Sequence, residues 1–131
     1  MNAARLKSIP LFSDLSDRER QQVARWADEV DIKAGKHLVD QGRFAYEFFV
    51  IEEGSAEVTH NGDHLTDLGP GDFFGEIGIL GDEPRTASVV ATSDMTLIVM
   101  TDRDFREMTR SMPKVAETIR RTMQLRMKKA D

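Results

Sequence analysis

An asparagine-glycine pair, Asn61-Gly62, stands between the segments "AEVTH" and "DHLTDL" and narrows the folds open to this chain more than any other feature. A two-residue loop joining two strands needs positive φ, which asparagine and glycine tolerate best, so the pair predicts a tight hairpin. Around it, other short segments follow one another: "DEVDIK", "HLVDQ", "EFFVIEEG", "RTASVVATS" and "DMTLIVM". Gly35, Gly42, Gly54 and Gly69-Pro70-Gly71 punctuate them. From Val30 to Met100 no helical period survives. Short strands at near-regular spacing predict an antiparallel sandwich or roll. Phe44, Tyr46, Phe48 and Phe49 read as its core and strand faces.

Helix signals are confined to the two ends. Ser16 precedes Glu19 by three residues, the spacing of a capping box, and Leu15, Val23, Trp26 and Ala27 then fall roughly on one face. After Met100, Thr101 with Asp104 can cap a helix carrying Phe105 and Met108. Ser111 with Pro113 is expected to start another, with Val115, Ile119, Met123 and Met127 on one stripe. The fold class is therefore mainly β with flanking helices (α+β). Residues 1–131 are expected to form one domain: a helical segment at 1–29, a β-roll at 30–100 and helices at 101–131.

The bulk properties exclude several functions. There is no cysteine, hence no disulfide and no thiolate chemistry, which suits a reducing cytoplasm. No apolar run approaches a membrane span, and "MNAARLKSIPLF" does not read as a signal peptide. A net charge of −5 gives no overall footprint for nucleic acid. Basic residues do gather from Lys114 onward, where six outnumber two acidic ones, and they read as a solvated helix face. His37, His60 and His64 follow no metal-binding pattern, so no metal site is expected. Asp40, Glu47, Glu52 and Glu53 stand without a nucleophile–base pair or a cofactor motif, so no catalysis is expected either.

The chemistry concentrates in "DFFGEIGILGDEPRTASVVA", residues 72–91, where Glu76 and Arg85 sit nine residues apart in an apolar, glycine-rich run. "EIGI" can form a short helical turn whose first N–H groups are unpaired, and Gly75 and Gly78 let a ligand approach that backbone. Arg85 can give a phosphate two parallel hydrogen bonds, and Thr86 adds a hydroxyl at the same rim. A carboxylate does not bind phosphate, but Glu76 suits a neighbouring hydroxyl. Together these describe a sugar-phosphate. A plain Glu76–Arg85 salt bridge in a glycine-rich turn accounts for the same residues.

The stretch "FFGEIGILGDEPRTASVVA" resembles the phosphate-binding cassette of cyclic nucleotide-binding domains, found in the catabolite activator protein, protein kinase A regulatory subunits and cyclic nucleotide-gated channels. The pattern is met by Gly75-Glu76-Ile77-Gly78 and Pro84-Arg85-Thr86-Ala87. Upstream, "GKHLVDQG…FFVIEEGSAEV" is similar to the family's early strands, and the end is similar to its last two helices. The resemblance implies an antiparallel jelly roll with N-terminal helices, a short cassette helix and two C-terminal helices. It further implies a cyclic purine nucleotide as ligand, cAMP ahead of cGMP, and no cofactor. Glu76 would take the ribose 2′-hydroxyl and Arg85 the cyclic phosphate. Backbone N–H groups near Gly78 and Ala87 would assist, Gly75 and Ile77 would shape the turn, and Thr86 would touch the phosphate or the purine.

In the family a residue late in the last helix closes over the purine. Leu125, Arg126 and Met127 are the candidates here, Arg126 by stacking its guanidinium on the base. Binding would shift the last helices, so the resemblance implies a cytoplasmic sensor or regulatory module working through a protein partner or self-association. No helix-turn-helix, pore or catalytic domain accompanies the pattern, so either a free-standing module or a piece of a larger protein is expected, the former favoured. Two other readings stay open at this point: a transcription-regulator relative without its reading helix, and a degenerate module that binds no nucleotide.

Overall fold

A computed structural model describes residues 1–42, 47–80 and 87–130. The strands are β1 (Asp28–Ile32), β2 (His37–Val39), β3 (Glu47–Glu53), β4 (Ala56–His60), β5 (Asp63–Leu68), β6 (Phe73–Phe74), β7 (Ser88–Ala91) and β8 (Met95–Thr101). They pair antiparallel in two four-stranded sheets, ordered β1-β8-β3-β6 and β2-β7-β4-β5. This is the expected jelly roll. The helices are a 3₁₀ turn (Ala3–Ser8), α1 (Pro10–Ser13), α2 (Asp17–Trp26), α3 (Glu76–Leu80), α4 (Asp102–Ser111) and α5 (Pro113–Ala130). None among the described residues is long and apolar enough to cross a membrane.

The continuous apolar runs "FFVI" and "LIVM" mark strands buried on both faces. In β3, Phe48 and Val50 point to the helices, while Phe49 and Ile51 point to the second sheet. In β8, Ile98 and Met100 join the helical side and Met95 and Leu97 the inter-sheet side. β6 divides in the same way between Phe73 and Phe74. The first sheet is thus a wall between two cores. The second sheet covers one face only, so β5 is largely exposed. Phe44 and Tyr46 lie outside the described residues.

The hairpin forms at Asn61 (φ 53) and Gly62 (φ 84), which closes β4 on β5 with His60 opposite Asp63. Gly54 is constrained more severely. It sits at φ +94, and a Cβ there would lie 2.9 Å from the Cα of Met95 and collide with the Asp94 carbonyl. Gly54→Ala should therefore cost about 1–3 kcal/mol of stability through a strained backbone. A urea midpoint equal to that of the parent would contradict this close approach.

At the N-terminal end both halves of the capping box form: Ser16 Oγ accepts from the Glu19 N–H at 3.1 Å, and the Ser16 N–H donates to Glu19 at 3.0 Å. Those bonds hold the Glu19 carboxyl below its usual range. Thr101 caps α4 through the Asp104 N–H. Two boundaries and one facing differ from expectation. Helix α2 ends at Trp26, because Asp28 and Glu29 are drawn into pairing with Val99 and Ile98 of β8. Ser111 closes α4, with its apolar neighbour Met112 buried at the corner before Pro113 starts α5. Met127 is half exposed (52%) and leaves the expected stripe. At about 100° per residue, position 126 returns to within about 20° of Val115, whereas 127 stands about 120° away.

Candidate functional site

Between the second sheet, α3 and the outer half of α5 lies a cavity of about 600 Å³, within the range of roughly 300–1,000 Å³ common for small-ligand pockets. Its floor is apolar because the inward residues of alternating strands meet there, among them Val39, Val58, Leu68, Phe74 and Val89. Its rim carries Leu65 and Leu125, exposed at 51% and 62%. Gly75 turns the chain out of β6 at φ +100, a conformation that favours glycine, and starts α3 against the cavity.

Of the expected site residues, Gly75, Glu76, Ile77, Gly78 and Ala87 line this one cavity. Arg85 and Thr86 lie outside the described residues. Leu125 and Arg126 also line it, and Met127 does not appear in its wall among the described residues.

Glu76 is the chemical centre of the wall. Its side chain is 1% exposed, and its partner is Arg126, whose Nη1 donates to Oε1 at 2.5 Å. Nη2 of the same guanidinium donates to the Phe73 carbonyl at 2.5 Å, and the group lies 5.3 Å from the Phe73 ring centroid. The other carboxylate oxygen, Oε2, is buried with no hydrogen-bond partner among the described residues. Arg126 therefore does not stand ready to stack on a base. It is folded onto the cassette helix, held by a carboxylate, a carbonyl and an aromatic face.

Both this pair and its Phe73 anchor escaped sequence reasoning. One signal was available: Val115, Ile119, Thr122 and Arg126 follow i, i+4, i+7 and i+11, so a cation occupies the core-facing stripe. Arg106 of α4 was also missed; its Nη2 donates to the Ile79 carbonyl at the far end of α3 at 2.9 Å. Its signal is weaker, since nothing local distinguishes one surface arginine of α4 from another.

Away from the cavity floor, Glu57, His64 and Asp67 bring one ligand atom each within 4.8 Å of one another. A β-bulge after Val58 places His64 and Asp67 on the same face of β5, where His64 Nδ1 lies 3.0 Å from Glu57 Oε2. His64 and Asp67 face solvent. His60 and Asp67 also line the cavity, whereas Glu57 and His64 do not appear in its wall among the described residues.

Two stacked sheets with a cavity closed by a short glycine-bounded helix and a long C-terminal helix make a β-roll ligand-binding module. The chain belongs to the cyclic nucleotide-binding domain family, whose model matches residues 29–112. The family is regulatory rather than catalytic. A cyclic nucleotide-gated potassium channel of Rhizobium etli is 33% identical over 115 residues, covering 88% of this chain and 32% of the channel. The regulatory subunit of a cAMP-independent protein kinase A from Trypanosoma brucei superposes with a TM-score of 0.83 at 26% identity, covering 92% of this chain and 44% of that one. The regulatory domain of Toxoplasma gondii protein kinase A, in a co-crystal structure with cAMP, gives 0.82 at 25% identity, covering 93% and 48%. The chain spans about a third of the channel and under half of either kinase structure.

Proposed function

We propose that this chain, as one domain over residues 1–131, binds a cyclic purine nucleotide in the cavity beside α3, cAMP ahead of cGMP, and signals through its C-terminal helices. The observation that carries the reading is Glu76: a carboxylate at 1% exposure, set in a glycine-bounded turn against a cavity of about 600 Å³. A structural ion pair alone explains the carboxylate but not the cavity. Glu76 takes the ribose 2′-hydroxyl, because an ionised carboxylate only accepts hydrogen bonds and cannot hold phosphate. Arg85 takes the cyclic phosphate, with Thr86 beside it and backbone N–H groups near Gly78 and Ala87 in support. Gly75 and Ile77 shape the turn. The apolar floor and Leu125 receive the purine. The output runs to a protein partner or a second copy.

The cAMP in the Toxoplasma structure supports the choice of ligand, and the cAMP-independent trypanosome relative is why the ligand has to be measured. Thermal shift with cAMP, cGMP and AMP is the direct test. The cyclic nucleotides should raise the melting temperature, cAMP most, while AMP should leave it unchanged. No response to either cyclic nucleotide would overturn the reading. Within it, Glu76→Gln replaces a charged acceptor by a neutral amide, so the preference for cAMP over 2′-deoxy-cAMP should narrow several-fold. Equal affinity of the parent for both ligands would take the ribose role away from Glu76.

A further inference from the structure

Asn61-Gly62 closes the β4–β5 hairpin, and the same dipeptide is open to a spontaneous reaction of the polypeptide chain. The nitrogen that follows an asparagine can attack the side-chain carbonyl carbon, and a glycine there leaves that nitrogen unhindered. Both residues are exposed, and a Cβ built at Gly62 would meet no atom within 4 Å. Against this, the polar atoms of Asn61 are held. Gln41, in the turn after β2, closes a reciprocal amide pair with it. Gln41 Nε2 donates to Asn61 Oδ1 at 2.8 Å, and the Asn61 N–H donates to Gln41 Oε1 at 2.8 Å. Asn61 Nδ2 lies 3.2 Å from His60 Nε2. Gln41 is anchored in turn, since its own N–H donates to Ser88 Oγ at 2.9 Å. One partner of the Asn61 amide therefore also grips the residue's own N–H, and the other belongs to the residue before it. Together they draw the side chain toward the β4 side of the turn, away from the Gly62 nitrogen.

We propose that Asn61 is a site of spontaneous deamidation whose rate Gln41 sets by clamping the side chain out of line. In the reaction the Gly62 nitrogen loses its proton and bonds to Asn61 Cγ. The Cγ–Nδ2 bond breaks, ammonia leaves with that proton, and a cyclic succinimide remains. Water then opens the ring at one of its two carbonyls, giving isoaspartate or aspartate. The amide must swing off Gln41 and His60 before the ring can close, so only the unclamped fraction reacts. Either product places a negative charge where a neutral amide stood. Isoaspartate also adds a carbon to the main chain of a two-residue loop, which can then no longer hold His60 opposite Asp63. The change reaches the cavity, because His60 and Leu65, on either side of the turn, both stand in its wall.

Incubation of the parent and of Gln41→Ala in mildly alkaline buffer tests this, with peptide mass spectrometry following the amide-to-acid mass gain. Isoaspartate is counted separately by enzymatic methylation. The chain's other asparagine, Asn2, precedes an alanine and serves as the internal reference. Folded Gln41→Ala should deamidate at Asn61 about tenfold faster than the folded parent, as expected when two neutral hydrogen bonds no longer hold the amide. Conversion at Asn2 should be the same in both. Equal rates at Asn61 in the two folded proteins overturn the clamp. A readout on the parent alone covers a variant that fails to fold: Asn61 should react several-fold more slowly in the folded parent than in the same chain unfolded in urea. A folded parent that reacts as fast as the unfolded chain overturns the proposal. So does a folded Gln41→Ala that keeps its Asn61 amide while the unfolded chain loses it.

Discussion

Arg85→Ala is expected to abolish most cyclic nucleotide affinity, a loss of about 2–5 kcal/mol, because a desolvated phosphate is left without its bidentate cation. The size follows from the asymmetry of buried charge pairs: removing one partner strands the other in a low dielectric, which costs more than the intact pair contributes. Arg85→Lys should recover only part of the affinity, since an ammonium supplies charge without the planar fork. Glu76 offers no compensation, being an acceptor. Calorimetry with cAMP gives the answer directly. Parent-like affinity in the alanine variant would move the phosphate to the backbone N–H groups of the cassette and remove the arginine from the site.

The largest stability effect is expected at Phe48. Its side chain is fully buried, with its ring centroid 4.4 Å from that of Phe105 and 5.6 Å from that of Phe73. It therefore joins a strand of the first sheet, a C-terminal helix and the strand leading into the cassette. Phe48→Ala removes the ring and leaves a hole that rigid neighbours on three elements cannot refill, costing about 3–5 kcal/mol. For a chain of this size that is roughly 10–20 °C in melting temperature. A loss well below that range would mean that α4 collapses onto the sheet, and would show the helical layer to be softer than its packing suggests. The site should feel this change as well, because Phe73 presents both the ring and the carbonyl that hold Arg126.

What the sequence determined by itself is what short-range chemistry decides. Ser16 and Glu19 specify a helix start because both hydrogen bonds of the capping box close within one turn. Asn61-Gly62 specifies a hairpin because those two residues relieve the positive φ that the turn imposes. The cassette is legible for the same reason: Gly75-Glu76-Ile77-Gly78 is contiguous, and its residues reach one cavity wall without help from elsewhere. Short segments between turn residues carried the roll, but strands buried on both faces show no alternation, and this hid which of Phe48 and Phe49 faced which core. Only the tertiary structure decided what sits on Glu76. Arg126 is fifty residues away, and whether it meets a purine, solvent or a carboxylate depends on how α5 crosses α3. That crossing is set by Val115 and Ile119 packing into the helical core and by the 3.6-residue period that turns position 126 inward and 127 outward. The stripe on α5 shows that a cation faces inward, but not which group it meets, since the geometry of a long-range ion pair is a product of packing.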